Sequence, residues 1–298
     1  MIRLALRVKR EQAELVLAAL LELAPAGVEE VNVGEEMVEY AVYGAPGEIP
    51  ALPDLQAVVG EALVEISTSE IADDWSELWK DFHRPVLIPA PSKAEGGSRE
   101  LPALHVRPPW EAPSTHTGSA VTEIVIDPGQ AFGTGAHAST RMCLELLLEL
   151  AATQPPSGAL LDVGTGSGVL AIAAAKLGFQ PVLGLDHEQE SVQASAENAL
   201  VNNVQIEVRR FDLRTEELPW LDGVAEESHG LVMLANLLRP LLLELARTMS
   251  YAPAHLVASG LLREEVDEVA AAFSERFGMR ERERRASGEW AAIWLAAG

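Results

Sequence analysis

The stretch that decides the fold is LLDVGTGSGVLAIAAAKLG, residues 160–178. It begins as a short apolar strand, passes through Gly164, Gly166 and Gly168, and continues as an apolar helix. Glycines at this point let a ligand approach the backbone closely, because no side chain stands in the way. In open parallel sheets the carboxyl edge of the strands is the usual ligand crevice, so the stretch predicts a binding site where its strand ends.

An acidic residue at the end of the next predicted strand adds to this signal. Asp186 follows Gly164 by 22 positions, where its carboxylate would accept both hydroxyls of a ribose. The dinucleotide fingerprint is incomplete, since Val169 occupies the position of its third glycine. The pattern therefore favours an adenosine-type ligand over a nicotinamide dinucleotide. The structural alternative is a tight strand-to-helix turn.

Strands and helices alternate from this stretch to the end of the sequence. Near-continuous apolar strands separated by helices indicate a parallel sheet that is covered on both faces. The last two strands flank a short turn at Ser287–Gly288 and predict an antiparallel hairpin. We therefore expect an α/β, Rossmann-like fold with a mostly parallel seven-stranded sheet, its strands over 159–164, 181–186, 205–210, 231–236, 255–260, 279–287 and 288–298.

The segment before residue 72 has a different rhythm. Its patterns predict the order strand, helix, strand, strand, helix, strand, with helices over 11–24 and 53–63, which is typical of small ferredoxin-like α+β domains. A connector rich in Pro, Gly and Ser follows. Trp75, Trp79 and Phe82 stand there at helical spacing and would cover a domain junction or pack in an ordinary core. We expect domains at 1–71 and 111–298, joined by a linker region at 72–110.

Composition limits the classes of function. The net charge of -23 over 298 residues disfavours a protein that holds nucleic acid through its phosphates. It favours basic partners, with a solvated acidic surface as the alternative; residues 11–79 contain 16 Asp and Glu and no Lys, Arg or His. The single Cys143 excludes a disulfide framework and a Cys-rich zinc site. With no signal peptide or spanning segment evident, we expect a cytoplasmic protein that acts as a monomer.

A second glycine-rich stretch, DPGQAFGTGAHAST, lies shortly before the first, at residues 127–140. Together with DVGTGSG, LVMLANLL (231–238) and LVASGLL (256–262), it closely resembles the PrmA family, the lysine methyltransferases of ribosomal protein L11. The resemblance covers most of the chain from Asp74 onwards and is weaker in the first 70 residues. It implies a class I methyltransferase domain that uses S-adenosylmethionine, preceded by a ferredoxin-like domain for substrate recognition.

The resemblance also implies that both glycine loops serve one S-adenosylmethionine from opposite sides. The first loop would close over the cofactor near its methyl group through Phe132, Gly133, Thr134 and Gly135. Thr140 would bond the cofactor, with a helix N-cap as its alternative role.

The second loop and two strand ends would supply the remaining contacts. Gly164 and Gly166 would back the methionine portion of the cofactor, and Asp186 would hold its ribose. Asp162 would position the cofactor's amino group, or else cap the turn. Asn236 would contact the cofactor and, as the catalytic residue, hold the target nitrogen.

The chain departs from the family's pattern within the first loop. Ala136 and Ser139 replace two threonines, and Ala138 stands where proline is common. These departures bear on substrate preference more than on cofactor binding. His137 is retained, with either a structural or a direct chemical role.

The residues after Asn236 indicate the kind of acceptor. Leu237, Leu238 and Arg239 replace the Pro-Pro-Tyr of enzymes that methylate planar amides or base amines, which argues for an aliphatic amine. We predict methylation of lysine side chains, and of the N-terminal amine as a further target, on a basic large-subunit ribosomal protein, without direct nucleic-acid binding. The alternatives are another acceptor (a small molecule, RNA or another protein), a non-catalytic adaptor that binds the cofactor, and, more remotely, a nucleotide-dependent oxidoreductase.

Overall fold

The chain divides into two compact units, residues 1–82 and 83–298. The computed structural model describes residues 2–13, 16, 20, 29–32, 37–44, 63–70, 83–91, 101–115, 120–128, 133, 135–153, 158–219 and 230–298. The division between the units falls inside the predicted linker region, and the predicted domain boundaries stay predictions. None of the helices in the described ranges is long and apolar enough to cross a membrane.

The first unit contains an antiparallel sheet of four strands: β1 (Ile2–Lys9), β2 (Glu29–Asn32), β3 (Met37–Gly44) and β4 (Leu63–Glu70). Their order in the sheet is β2-β3-β1-β4, and the predicted pairing of β2 with β3 is confirmed. The two helices predicted in this unit fall largely outside the described residues, as do Trp75, Trp79 and Phe82. The ferredoxin-like assignment therefore stays a prediction.

Alternation of residues along β1 gives this sheet one apolar face and one charged face. Leu4, Leu6 and Val8 are buried together with Tyr40 of β3 in a small apolar core. Arg3 and Arg7 alternate with them, and both guanidinium groups donate to the Glu39 carboxylate, at 2.6 and 2.7 Å. The period of two thus separates an apolar face from a charged one.

The second unit begins with a sheet of three strands: β5 (Val86–Ile88), β6 (Ala103–Arg107) and β7 (Val121–Val125). They pair in the order β5-β6-β7, with β6 and β7 parallel. The first two strands lie within the predicted linker region, so the later part of that region belongs to a sheet of the second unit. The segment after β7 leads directly into the first glycine loop.

The predicted seven-stranded sheet is confirmed. Its strands are β8 (Leu160–Val163), β9 (Val182–Asp186), β10 (Glu207–Arg210), β11 (Val232–Asn236), β12 (His255–Leu262), β13 (Arg280–Ser287) and β14 (Trp290–Ala296). They follow the order β10-β9-β8-β11-β12-β14-β13. The first five strands in this order are parallel, and the final hairpin is antiparallel.

Helices cover both faces of this sheet, because its central strands are apolar on both sides. The helices are α1 (Ala138–Thr153), α2 (Val169–Leu177), α3 (Gln189–Val201), α4 (Arg239–Thr248) and α5 (Val266–Phe277). One apolar cluster joins the sheet to α1 and α2, and another joins it to α4 and α5. The chain reverses between β8 and β11 in the strand order, which places the carboxyl ends of β8, β9 and β11 at one crevice.

Candidate active site

The second glycine loop, residues 164–168, lies at the carboxyl end of β8 as predicted. Gly164, Gly166 and Gly168 have φ values of +76°, +52° and +83°, a region that glycine enters without steric cost. A Cβ on Gly164 would come within 2.4 Å of Leu237 Cδ2. One on Gly168 would come equally close, 2.4 Å, to Ser195 Oγ. Both the path of the loop and its close packing therefore require glycine.

Asp186 is held against this loop from the end of β9. Its side chain is buried, and its Oδ2 accepts the N–H of Gly166 at 2.9 Å. Its Oδ1 accepts the N–H of Glu188 at 3.1 Å. Each carboxylate oxygen can accept more than one hydrogen bond, so the fixed carboxylate retains capacity for the two hydroxyls of a ribose.

Asp162 has the turn role that was its alternative in the sequence. It is fully buried, and its Oδ2 accepts the Thr165 hydroxyl at 2.8 Å and the Ala171 N–H, near the start of α2, at 3.2 Å. Burial, with a smaller effect from the charge of Asp186, raises the pKa of Asp162 to about 7. Its Oδ1 has no hydrogen-bond partner in the described part of the chain. A contact with the cofactor's amino group stays a prediction.

The first glycine loop touches the second one. The Ser167 hydroxyl donates to the carbonyl oxygen of Gly133 at 2.6 Å. Gly133 and Gly135 have φ values of +100° and +89°, and a Cβ on Gly135 would lie only 2.9 Å from a methyl carbon of Val106. Phe132 and Thr134, predicted to close over the cofactor, lie outside the described residues.

Asn198 on α3, which was not predicted from the sequence, ties the two loops together. Its Oδ1 accepts the N–H of Asp127 at 3.0 Å, where the first loop begins. Its Nδ2 donates to the carbonyl oxygen of Ser167 in the second loop at 2.9 Å. One turn further on, Asn202 pairs with both the N–H and the carbonyl of Val125, at 2.9 and 2.6 Å.

A signal for these asparagines was present in the sequence. The buried polar residues of α3 and its C-cap recur at the spacing of one helix face. Such a face normally carries apolar residues that pack on a sheet. The polar residues with this spacing are Ser191, Ser195, Asn198 and Asn202. The two asparagines among them bind backbone groups of the segments that pack against the helix.

The start of α1 corrects one alternative for Thr140. His137 opens the helix, because its carbonyl accepts the N–H of Arg141 at 3.0 Å. Thr140 lies inside the helix, so the N-cap role considered for it is wrong. His137 Nδ1 accepts the N–H of Ser139 at 3.3 Å and lies 2.7 Å from its hydroxyl. The imidazole also packs edge-on against Trp290, with centroids 4.8 Å apart. These contacts give His137 a structural role.

Asn236, at the end of β11, lies beside Thr140. Its Nδ2 donates to Thr140 Oγ1 at 3.2 Å, which joins the strand end to the helix that follows the first loop. Thr140 is fully buried, whereas Asn236 is half-buried. The geometry thus brings together the predicted catalytic residue, Thr140 and both glycine loops.

An open cleft lies along the ends of β8, β9 and β10, at the edge of the sheet where open α/β folds bind their ligands. Gly164 and Asp186 line it, as predicted, and Leu237 closes one side. The segment after β10 also lines the cleft, which was not predicted; the residues are Phe211, Asp212, Leu213 and Arg214. The available signal in the sequence was Asp212, an acid that follows a third parallel strand.

This cleft suits S-adenosylmethionine. It has a backbone cradle without side chains at Gly164, a fixed carboxylate at Asp186 and apolar walls for a flat base. The sheet order and the paired glycine loops define a class I methyltransferase that uses S-adenosylmethionine. The family model for ribosomal protein L11 methyltransferase (PrmA) matches residues 1–297. The chain belongs to this family.

Individual relatives agree with the family match. The chain is 36% identical over 272 residues to the ribosomal protein L11 methyltransferase of Syntrophotalea carbinolica, covering 90% of this chain and 78% of that protein. It is 37% identical over 226 residues to the Heliobacterium modesticaldum protein of the same name, covering 74% of this chain but only 63% of that protein. A crystal structure of the ribosomal protein L11 methylase from Lactobacillus delbrueckii subsp. bulgaricus superposes with a TM-score of 0.53 at 27% identity. That superposition covers 71% of this chain and 98% of the other.

Proposed function

We propose that this chain transfers methyl groups from S-adenosylmethionine to amino groups of ribosomal protein L11, lysine side chains foremost and the N-terminal amine as a further target. The observation that carries the proposal is the bond from Asn236 Nδ2 to Thr140 Oγ1, at 3.2 Å. With Nδ2 committed as a donor, Oδ1 is the end of the amide that accepts. An amine beside the cofactor needs such an acceptor to orient its hydrogens.

The chemistry requires a neutral amine at this position. Bound S-adenosylmethionine supplies a methyl group on a positively charged sulfur. The substrate nitrogen would attack the methyl carbon, the electron pair of the carbon–sulfur bond would stay on sulfur, and the nitrogen would then lose a proton. A free lysine, with a pKa near 10.4, is neutral in only about one molecule in a few thousand at pH 7. Desolvation and the sulfonium charge would lower this pKa within the site.

Asn236 serves positioning rather than proton abstraction in this scheme. Thr140, which it contacts, and Ser259, its neighbour on β12, carry no group that titrates near neutral pH. We therefore assign the departing proton to water. Catalysis then comes mainly from holding the amine in line with the methyl group, and such positioning contributes several powers of ten in rate.

The cofactor's remaining contacts are assigned on the same basis. Asp186 would accept the ribose hydroxyls, because its carboxylate is already fixed by Gly166 and Glu188. Gly164 and Gly166 would face the methionine portion, and Gly133 would stand opposite, where Ser167 joins the loops. Phe132 and Thr134 are assigned to closure over the methyl group on the family resemblance alone.

The substrate assignment rests on the relatives' names and on charge. Both relatives described above are called ribosomal protein L11 methyltransferases. A net charge of -23 would steer a basic protein towards the chain and repel nucleic acid. We propose accordingly that the chain acts as a cytoplasmic monomer on the free protein, without contacting nucleic acid.

Intact-mass spectrometry tests the proposal directly. The purified chain is mixed with S-adenosylmethionine and unmethylated free large-subunit ribosomal proteins. Mass gains in steps of one methyl group on L11 alone are expected. No gain, while cofactor binding is retained, would move the assignment to another acceptor, and Ala136→Thr with Ala138→Pro would then test whether the loop departures are responsible.

Variants of Asn236 and Thr140 test the roles proposed for these two residues. Asn236→Ala is expected to lower kcat about a hundredfold and to change the Kd for S-adenosylhomocysteine by less than about threefold. Thr140→Val, which keeps the shape but removes the accepting hydroxyl, is expected to lower kcat, whereas Thr140→Ser, which keeps the hydroxyl, retains it. Equal losses of kcat and cofactor affinity in Asn236→Ala would contradict the acceptor role.

A further inference from the structure

Gly260 interrupts β12 at the level where β11 ends. Ser259 pairs with Ala292 of β14 and Leu261 with Ala291, so Gly260 is an extra residue between two consecutive pairs. It is buried, and its φ of +82° lies in the left-handed region. These are the features of a β-bulge built on glycine, a device that re-aims neighbouring groups and is common beside active sites.

The backbone of Leu237 lies directly against this glycine. A Cβ on Gly260 would come within 2.6 Å of the Leu237 carbonyl oxygen, 2.9 Å of its carbonyl carbon and 3.2 Å of its nitrogen. The Leu237 N–H also donates to the Ser259 carbonyl at 3.0 Å. Ordinary contact begins near 3.4 Å, so a methyl group here would displace the Leu237 peptide by the better part of an ångström.

Leu237 is the residue next to Asn236. Asn236 pairs with Ser259 across β11 and β12, and its amide is held by Thr140 on the other side. We propose that Gly260 is a positioning residue for methyl transfer: its missing side chain lets the Leu237 peptide lie close to β12, and this sets where the Asn236 amide points. The proposal rests on the acceptor role of Asn236 argued above.

The two glycines on either side of Leu237 have different effects. A Cβ on Gly164 would strike Leu237 Cδ2, the end of a flexible side chain, at 2.4 Å. A Cβ on Gly260 would strike the backbone. Gly164 thus shapes the cofactor cleft, where Leu237 is a wall, whereas Gly260 fixes the chain that carries the acceptor.

The test compares Gly260→Ala with Gly278→Ala. Gly278 has a φ of +68°, and a Cβ added to it would meet nothing within 4 Å, so its variant carries the backbone strain without the crowding. For each, kcat on L11 is measured at saturating S-adenosylmethionine, together with the Kd for S-adenosylhomocysteine. Saturating cofactor also stabilises the folded chain, so that a weakened variant can still be assayed.

Gly260→Ala is expected to lower kcat tenfold to a hundredfold, roughly the effect of an ångström's misplacement, and to change the Kd less than kcat. Gly278→Ala is expected to retain kcat. Gly164→Ala is expected to weaken cofactor binding, because its Cβ would strike the Leu237 side chain in the cleft. Leu237→Ala should relieve part of that defect but none of the kcat defect of Gly260→Ala. In the double variant Gly260→Ala with Asn236→Ala, the two losses should overlap rather than add, because they act on one interaction.

Several results would overturn the proposal. They are a kcat for Gly260→Ala within about twofold of the wild type, losses that add in the double variant, and a Gly260→Ala chain that stays unfolded with cofactor present while Gly278→Ala folds. A wild-type chain that methylates no ribosomal protein would overturn the proposed function as well. If the wild type is active and Asn236→Ala does not lower kcat, only the acceptor role of Asn236 and the inference built on it would fail.

Discussion

The two glycine loops of the site are built in different ways. The second loop gets its shape mainly from its glycines at positive φ and from the Asp162 and Asp186 carboxylates at the two adjoining strand ends, and Asn198 adds one bond at Ser167. The first loop begins at a backbone held by Asn198 and touches the second through Ser167. A loop shaped by local residues can be anticipated from its own stretch of sequence, whereas a loop held by distant side chains cannot.

Loss of the Asp186 carboxylate should have the largest effect, because it supports the second loop and the proposed ribose contacts together. Hydrogen bonds to a charged group contribute about 1.5–3 kcal/mol, so Asp186→Ala should raise the Kd for S-adenosylhomocysteine about a hundredfold or more. Titration calorimetry gives the value. Glu188→Ala is the control, since it removes an exposed side chain and keeps the N–H that donates to Asp186. A similar Kd in both variants would contradict the role of Asp186.

Loss of Asn198 should affect the first loop more than the second, because the second loop keeps its bonds to Asp162 and Asp186. Asn198→Ala leaves the buried Ser167 carbonyl without the amide that donates to it, and an unsatisfied buried group costs about 1–3 kcal/mol. It also removes the acceptor of the N–H of Asp127, an exposed residue. We expect lower stability, about tenfold weaker cofactor binding, and faster hydrogen exchange over residues 127–140 than over 160–168.

Asn202→Ala is the matched control for this variant. It loses the two hydrogen bonds to the backbone of Val125 but keeps the bond from Asn198 to the Ser167 carbonyl. Stability should therefore fall with little change in cofactor binding. Equal acceleration of exchange in both loops of Asn198→Ala would show that they share one support, and the contrast between them would fail.

Sequence patterns predicted most of the fold because local residues determine most of its elements. The apolar strands from β8 to β12, the helices between them and the final hairpin follow from local periodicity and turn residues. Asp186 and Gly164 follow from their place at strand ends. Asn198 could not be placed, because its partner Asp127 lies 71 positions away and only the packed fold brings them together. The N-cap alternative for Thr140 was wrong because His137 opens that helix earlier.

Asp162 should make stability depend on pH. Its pKa is raised to about 7 in the folded chain by burial, whereas an unfolded aspartate titrates near 3.9. Between these values the folded chain holds a proton that the unfolded chain has released. The free energy of unfolding should therefore fall as pH rises through this window and level off above about pH 7.

Asp162→Asn cannot titrate, and comparison with it isolates this group. The stability of the wild type relative to the variant should fall by about 2 kcal/mol between about pH 5 and about pH 8, as measured by urea unfolding. Parallel curves for the two proteins would contradict the raised pKa of Asp162.

The smallest effect is expected for the direct bond between the loops. Ser167→Ala removes one hydroxyl from the Gly133 carbonyl, and a single neutral hydrogen bond is worth about 1 kcal/mol, or about fivefold in cofactor Kd. Ser195→Ala is the matched control, a second fully buried serine whose Oγ has no hydrogen-bond partner in the described part of the chain. Removing that hydroxyl should leave cofactor affinity unchanged and stability equal or higher, since a buried hydroxyl without a partner is a cost. If both variants bind alike, the bond from Ser167 contributes nothing to binding, and of the ties between the loops described above the bonds of Asn198 remain.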